Sequence, residues 1–294
     1  MVNLAFIVNN LVSSATGFIG LPVAQALARA GHVVYGQTRS NSKSRQLAEE
    51  ESTSFFVLVR EPISTIAEAI PIISDPANTD SWKSLLATAD AVIDATGSED
   101  TSELAPAIFN AVSETAAAVR PPNAAKLTFI QTSGSWVHGD NRDETVTDTT
   151  PAKTDNSFIA WRVEHEQVVV ASQTLNGIII RPSLLYGRSA SMFGLLFKQA
   201  YDGEIAWYGT PGGRYALIHQ DDLADLYVKV VERASILPGL IIDASNDFTE
   251  SVDDILATLV KVSGAKSYRY ITPSNREFAH TTPRYSMMTN ACLA

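Results

Sequence analysis

The chain has 294 residues, 45% hydrophobic and 18% charged, with a formal net charge of −10. That length supports one large α/β core with a small accessory region, and the acidity argues against nucleic acid or an anionic membrane as the main partner. The lone cysteine, Cys292, excludes an internal disulfide and a thiolate metal site, and fits a reducing, cytoplasmic setting.

The opening MVNLAFIVNNLV is apolar, has no Lys or Arg before its hydrophobic run, and is too short to span a bilayer. It reads as a buried strand over 4–8. A helix follows over Leu21–Ala30, with Pro22 in its first turn and Gly31 just past its end. Further strands are expected at 32–38, 69–74, 90–96, 126–132, 177–182 and 239–244, most of them apolar on both faces. Helical periodicity covers Leu104–Val119, Ala160–Gln173, Met192–Tyr201, Leu223–Arg233 and Val252–Val262. Strand–helix alternation of this kind predicts an α/β fold with a doubly wound parallel sheet. It reads as a single domain over 1–294, with substrate-side segments near 183–216 and 263–294. Ser52–Glu68 interrupts the passage from the second helix to the third strand and reads as a surface excursion.

Between the first strand and first helix lies SATGFIG (14–20), a G-x-x-G-x-x-G pattern with Ser14 in the first position and Gly17 and Gly20 in the others. The middle glycine admits a pyrophosphate to the backbone, the last allows close helix–strand packing, and the helix N-terminus offers N–H groups to the anion. Ser14 then sits where positive φ suits glycine and is costly for other residues. At the end of the second strand, QTRSNSKSR (37–45) has no acid to take ribose hydroxyls but carries Arg39, Ser40, Lys43 and Arg45. A guanidinium and hydroxyls suit a 2′-phosphate, which favours NADP over NAD.

SATGFIG, DAVIDATG (90–97), QTSGSWVHG (131–139), RPSLLYG (181–187) and LIHQDDLAD (217–225) occur in one order. That order resembles the extended or atypical short-chain dehydrogenase/reductases, a group that includes nucleotide-sugar epimerases, dehydratases and dihydroflavonol-reductase-like enzymes. The resemblance runs from about Leu4 to Val262 and implies a Rossmann-type fold. It implies that Ser14, Thr16, Gly17, Phe18, Ile19 and Gly20 cradle the pyrophosphate and that Arg39 and Ser40 take the adenosine ribose end. Asp75 would lie near the adenine, Ala95, Thr96 and Gly97 would line the cofactor, and Pro182, Ser183 and Leu184 would flank the nicotinamide. Ser133, or Ser135 in a shifted register, takes the place of the active-site serine, and Tyr186 faces the substrate. His219, Asp221 and Asp222 match an element that is mostly structural. A small-molecule substrate and a homodimer through 104–119 and 160–173 are the partners the resemblance implies.

The family's catalytic pair is Tyr followed four residues later by Lys, itself four residues before a Glu. Aligned on Glu166, those positions hold Phe158 and Arg162, and no lysine in the chain has a tyrosine four residues before it. The phenol passes a proton to or from the substrate oxygen, helped by a neighbouring cation. Phe158 has no such proton, and Arg162 keeps its charge but cannot act as a base near neutrality. Three readings stand side by side. An acid comes from elsewhere, with Tyr186, His138 or a serine-bound water as candidates. Alternatively the chain is a non-catalytic NADP(H) sensor, or its substrate is an activated enone or quinone that needs little acid catalysis.

WYGTPGGRYALIH (207–219) reads as a mobile substrate-side loop, and Trp136, Trp161, Trp207, Tyr208 and Tyr215 as lining for a flat substrate. The histidines lack i, i+4 pairing, so no metal is expected. DNRDETVTD (140–148) lacks calcium-loop spacing and reads as a solvated loop. There is no G-x-S-x-G elbow for hydrolysis. TTPRYSMMTNACLA (281–294) shows no amphipathic period, which suggests an incomplete C-terminal lobe.

Overall fold

The most apolar strands of the sequence lie side by side at the centre of one seven-stranded sheet. The computed structural model describes residues 9–43, 69–97, 101–139, 146–154, 157–188 and 193–271, without the side chains of 9, 10, 157 and 158. The expected strand at 4–8, the segment 52–68, Arg45, and residues 140–145 and 272–294 therefore lie outside the described residues. The sheet contains β1 (Asn9–Ser13), β2 (Val33–Thr38), β3 (Ile70–Ile73), β4 (Ala91–Asp94), β5 (Thr128–Thr132), β6 (Asn176–Pro182) and β10 (Ile241–Ala244). Their order is β3-β2-β1-β4-β5-β6-β10, and the pairs β1–β2, β2–β3, β1–β4 and β4–β5 are parallel. Every residue of β4 and β5 is buried, whereas the edge strand β3 leaves Ile70 and Ile73 exposed. This is the doubly wound sheet expected from strand–helix alternation. Helices α1 (Gly20–Arg29), α2 (Thr101–Val119), α3 (Ser157–Val170) and α5 (Gln220–Glu232) connect its strands.

The chain divides into two compact units. The first contains residues 1–132, 165–179 and 223–241, and the second 133–164, 180–222 and 242–294. Within the first, Leu11, Val92 and Phe129 from the sheet pack with Ile108, Phe109 and Val112 of α2 and with Trp82 and Leu86. Burying each large apolar side chain contributes about 1.5–3 kcal/mol. A polar layer accompanies this core. Tyr227 on α5 is fully buried and its hydroxyl shares a 2.6 Å hydrogen bond with Thr132 Oγ1, while burial drives the phenol's pKa far up.

The second unit has a core of its own. Here β7 (Leu184–Tyr186), β9 (Arg214–His219) and β11 (Thr249–Ser251) form a three-stranded sheet ordered β11-β9-β7. A parallel pair joins β8 (Glu204–Tyr208) to β12 (Ser267–Ile271). With α4 (Phe193–Asp202) and α6 (Val252–Ser263) these strands enclose Phe193, Leu196, Ile205, Trp207, Tyr215, Leu217 and Leu256. The expected mobile loop at 207–219 is corrected by this arrangement. Trp207 ends within β8, and Tyr215–His219 lie in β9, with only a short turn between. In β8 the burial alternates, with Ile205 and Trp207 facing one way, whereas in β9 Tyr215 to Ile218 are buried on both faces. Trp207 and Tyr215 pack edge to face at 5.8 Å, so they are core residues and not a substrate-facing lining.

Asp253, in the first turn of α6, fastens this unit. Its carboxylate accepts hydrogen bonds from the Tyr270 hydroxyl at 2.6 Å and from the Gly212 N–H at 2.8 Å. The tyrosine hydroxyl beside it, then the backbone donor, hold its pKa below the usual value, and that of Tyr270 is pushed well up by burial and by the carboxylate. A carboxyl whose folded pKa is depressed adds stability above its unfolded pKa and loses it as pH falls through the folded value. Asp253→Asn is therefore expected to lower stability at pH 7 by less than about 1 kcal/mol, since solvent screens the pair. Urea unfolding across pH checks this: the gap between wild type and variant should begin to narrow as pH falls below about 4 and close only below the depressed folded pKa.

Candidate functional site

The residues singled out from sequence fall in both units, and each group has its own internal geometry. In the first unit, β1 ends at Ser13 and the chain turns sharply into α1. Ser14 adopts φ +48°, the left-handed conformation expected of the position. Its N–H donates to Gln37 Oε1 at 2.9 Å, and the Ala15 N–H donates to the Gln37 carbonyl at 2.8 Å. Gln37 is itself buried and its amide nitrogen donates to the Ser74 carbonyl. The Gly17 N–H closes the turn on the Ser14 carbonyl at 2.8 Å. A Cβ on Gly20 would fall 2.2 Å from that same oxygen, so only glycine permits this approach of helix to strand. The first turn of α1 has no acidic residue, and its N-cap, Ile19, makes no side-chain capping bond. The Leu21 N–H donates to the Gly17 carbonyl at 3.1 Å and Pro22 has no N–H, so this end offers an anion chiefly its helix dipole.

The neighbouring strand ends complete the group. Thr16 Oγ1 and Thr38 Oγ1 share a 2.9 Å hydrogen bond that ties the turn to the end of β2. Arg39 follows, exposed, and Ser40 Oγ accepts from the Lys43 N–H at 3.4 Å, capping a helical turn that starts at Asn41. Asp75, beyond β3, is exposed and accepts from the Ala77 N–H at 2.9 Å. Asp94 at the end of β4 is buried. Its Oδ1 accepts from Ser13 Oγ at 2.8 Å and from Thr96 at 3.0 Å (N–H) and 2.7 Å (hydroxyl), while Ser13 Oγ accepts from the Ala95 N–H. This buried carboxylate fixes Ala95–Thr96 behind the exposed Gly97. The structure thus brings Ser14, Thr16, Gly17, Gly20, Ala95 and Thr96 to the carboxyl ends of β1 and β4, where open α/β sheets bind ligands.

In the second unit, β5 leads into Ser133 and Gly134 and then a short 3-10 turn, Ser135–His138. The Ser133 N–H donates to the Ile180 carbonyl at 2.8 Å, and the Ser183 N–H to the Ala244 carbonyl at 2.9 Å. Both side-chain hydroxyls are buried and have no hydrogen-bond partner among the described residues. Buried polar groups are nearly always satisfied, so two orphans at these positions fit a ligand-binding role. Arg162, on α3 between Phe158 and the buried Glu166, has its guanidinium 4.7 Å from the Trp161 ring centre and 5.7 Å from that of Trp136. Tyr186 is half-buried, packs edge to face on His219 at 5.0 Å, and its hydroxyl meets the Asn246 side-chain amide at 3.5 Å.

His138 stands apart from an accessible acid. Its imidazole has no exposed surface, and Nε2 lies 2.8 Å from Asp243 Oδ2 and 3.2 Å from Arg181 Nη1. A guanidinium can only donate and a carboxylate only accept, so the ring N–H belongs to the shorter contact with Asp243. His138 is one member of a buried charge cluster. Arg181 and Asp243 were not visible as partners in the sequence, because they come from β6 and β10, distant in the chain. Asp94 and Gln37 were missed for a similar reason: only the packed structure gives their side chains a task. Among the described residues no group of three or more His, Cys, Asp or Glu gathers to hold a metal, and no helix is long and apolar enough to cross a membrane.

With this geometry in place the likenesses to known proteins are specific. A family model described as the NAD dependent epimerase/dehydratase family matches residues 11–242. No curated protein matches the sequence. Among solved structures, a dTDP-glucose 4,6-dehydratase from Bacillus anthracis in complex with NAD is 13% identical with a TM-score of 0.71, over 92% of this chain and 86% of that one. A UDP-glucuronic acid 4-epimerase from Bacillus cereus, in complex with UDP-glucuronic acid and NAD, is 20% identical with a TM-score of 0.69, over 90% and 86%. A nucleoside-diphosphate-sugar epimerase from Pseudomonas aeruginosa is 16% identical with a TM-score of 0.68, over 96% and 86%. At these identities the structures share the fold with this chain.

The turn yields a test of its geometry. Gly20→Ala is expected to destabilise the protein by roughly 1–3 kcal/mol through forced overpacking against the Ser14 carbonyl. Ser14→Gly removes about 1–2 kcal/mol of left-handed strain and adds about 0.5–1 kcal/mol of unfolded-state freedom, so it should be neutral to mildly stabilising. Urea midpoints of both variants decide the matter, and a Ser14→Gly protein weakened by more than about 1 kcal/mol would contradict the strain.

Proposed function

The chain belongs to the NAD-dependent epimerase/dehydratase family, and from that premise we propose that it is an NADP(H)-binding oxidoreductase or epimerase/dehydratase-like enzyme acting on a small organic substrate without the family's tyrosine donor. The observation that supports the reading is the turn at Ser14–Gly20, where Gly20 lets α1 close on the end of β1 and the helix start, with no side-chain cap and no acidic residue, turns its dipole toward a diphosphate. Arg39, exposed directly after β2 with no acid beside it at Thr38 or Ser40, favours a 2′-phosphate over free ribose hydroxyls. Ala95, Thr96 and Gly97 would line the dinucleotide, and Asp75 would stand near its adenine. Pro182, Ser183 and Leu184 would flank the nicotinamide, with the unpartnered Ser183 hydroxyl offered to it.

When bound, the nicotinamide would supply or remove a hydride equivalent. The chain's own residues would bind, orient and polarise the substrate. Ser133 offers a buried, unengaged hydroxyl as a hydrogen-bond partner for a substrate oxygen. Tyr186 is the phenol left to act as an acid, and His138 is enclosed by Arg181 and Asp243. General acid–base assistance is worth roughly 10²–10⁴-fold, so its loss slows a reaction that orientation still accelerates.

A second reading, a non-catalytic NADP(H) sensor, is favoured by one observation only: the position of the proton donor holds Phe158. Calorimetry with NADPH and NADH, followed by turnover assays on enones, quinones, ketones and nucleotide sugars, separates the two. NADPH is expected to bind at least about tenfold more tightly than NADH, and Arg39→Glu to remove that preference. Tight binding without turnover on any substrate, unchanged in the Phe158→Tyr, Arg162→Lys double variant, would leave the sensor. Absence of saturable binding by either nucleotide would sink both readings.

A further inference from the structure

Helix α4 of the second unit presents two faces of different character. Phe193, Leu196 and Ala200, at i, i+3 and i+7, are buried and seat the helix in that unit's core. The mounting is held at its end as well. Gln199 Oε1 accepts from the Ala206 N–H at 3.0 Å, and the Gly203 carbonyl, just past the helix, accepts from the Lys266 N–H at 2.9 Å. The outer face carries Phe197 and Tyr201, one turn apart and 59% and 92% exposed. A lone exposed apolar side chain is ordinary on a surface, but two aromatic rings in one i, i+4 row form a patch. Neither ring makes a ring contact or a hydrogen bond among the described residues. Alongside runs a second exposed row, Lys198 and Asp202, also four residues apart. Lysine ahead of the acid is the less favourable order for an i, i+4 pair, and the two form no ion pair with each other or with any described residue. The helix thus offers a cation and an anion, one turn apart, that the chain itself does not use.

We propose that the outer face of α4 is a self-complementary docking surface for a second copy of this chain, with the two α4 helices antiparallel about a two-fold axis. The two rows decide the arrangement. A two-fold axis lying in the contact plane and across the helices reverses their direction and keeps each row opposite its own counterpart. Phe197 then meets the partner's Tyr201, and Lys198 meets the partner's Asp202, with each contact made twice. A parallel arrangement, about an axis along the helices, would lay the aromatic row of one copy on the charged row of the other and satisfy neither. The extent of the surface sets its strength. Each ring offers at most about 150–250 Å², so the pairing stays below the roughly 1,600 Å² of a standard interface. The association is therefore weak and concentration-dependent, with a Kd on the order of 10–500 μM. Charge supplies the specificity, because opposite charges facing across the contact favour it and like charges oppose it. The surface is independent of the nucleotide-binding reading, since no residue of the phosphate turn takes part.

Sedimentation equilibrium of the full chain without nucleotide, from about 5 to about 500 μM, reads the association. The wild type is expected to gain mass as its concentration rises. Lys198→Asp and Asp202→Lys should each weaken self-association about fivefold or more, because like charges then face each other twice. Mixed in equal amounts, these two variants should associate with each other about as tightly as the wild type does with itself, since every facing pair is then Asp with Lys. The double variant Lys198→Asp, Asp202→Lys should regain self-association for the same reason. Tyr201→Ser should weaken wild-type pairing about threefold or more through loss of the ring. Circular dichroism confirms that each variant is folded. A monomeric mass at every concentration overturns the surface. An assembly that the single variants leave unchanged also overturns it and places the contact elsewhere on the chain. A mixture of the two single variants that associates no better than either alone overturns the antiparallel two-fold geometry and the proposal with it.

Discussion

The distance between the carbonyl of Ser14 and the α-carbon of Gly20 governs what the first unit can hold. With no side chain on Gly20 the first turn of α1 presses against the end of β1, and the positive end of its dipole lies at the sheet's carboxyl edge. Ser14 is bent into a conformation that a serine resists, and Gln37 offsets this by meeting two successive amides of the bend with its side-chain and main-chain oxygens. Asp94 plays the corresponding part at β4, gathering donors from Ser13 and Thr96. The turn is therefore braced from β2 on one side and β4 on the other. A diphosphate would meet a preformed surface, with little ordering left to do at the moment of binding.

The second unit presents a different solution to a related problem. Where the resemblance has a phenol and a lysine, the positions aligned on Glu166 hold Phe158 and Arg162, which on the proposed reading would keep the charge alone. Stacking Arg162 on indoles restricts its rotation, which is what a cation needs if it is to act by position. The neighbouring cluster of His138, Asp243 and Arg181 shows the opposite use of charge. There, both signs are matched and only Asp243 keeps some exposed surface, while His138 and Arg181 are buried.

Much of the first unit was legible in the chain because its signals are local. Runs apolar on both faces became β4, β5 and β6, and Pro22 near the start with Gly31 past the end bounded α1 to within a residue. The strained Ser14 followed directly from the glycine pattern. The second unit was harder to read. Its strands β7 and β11 have three residues each, too short for periodicity to speak, and β8 and β9 flank a Gly/Pro-rich turn that resembles a loop. Trp207 and Tyr215 read from sequence as a lining because aromatic side chains serve cores and clefts equally well, and only packing separates the two uses. Ion partners such as Asp243 and Arg181 come from strands far apart in sequence, where no spacing rule applies.

The four tryptophans fall into two optical classes. Trp82 and Trp207 are sealed in separate hydrophobic cores, and their emission should be blue-shifted and indifferent to small solutes. Trp136 and Trp161 instead lie half-buried against a guanidinium, so their excited states sense whatever charge settles beside Arg162. The protein thus carries a built-in fluorophore beside Arg162, and its emission would respond to a change of charge there without any label.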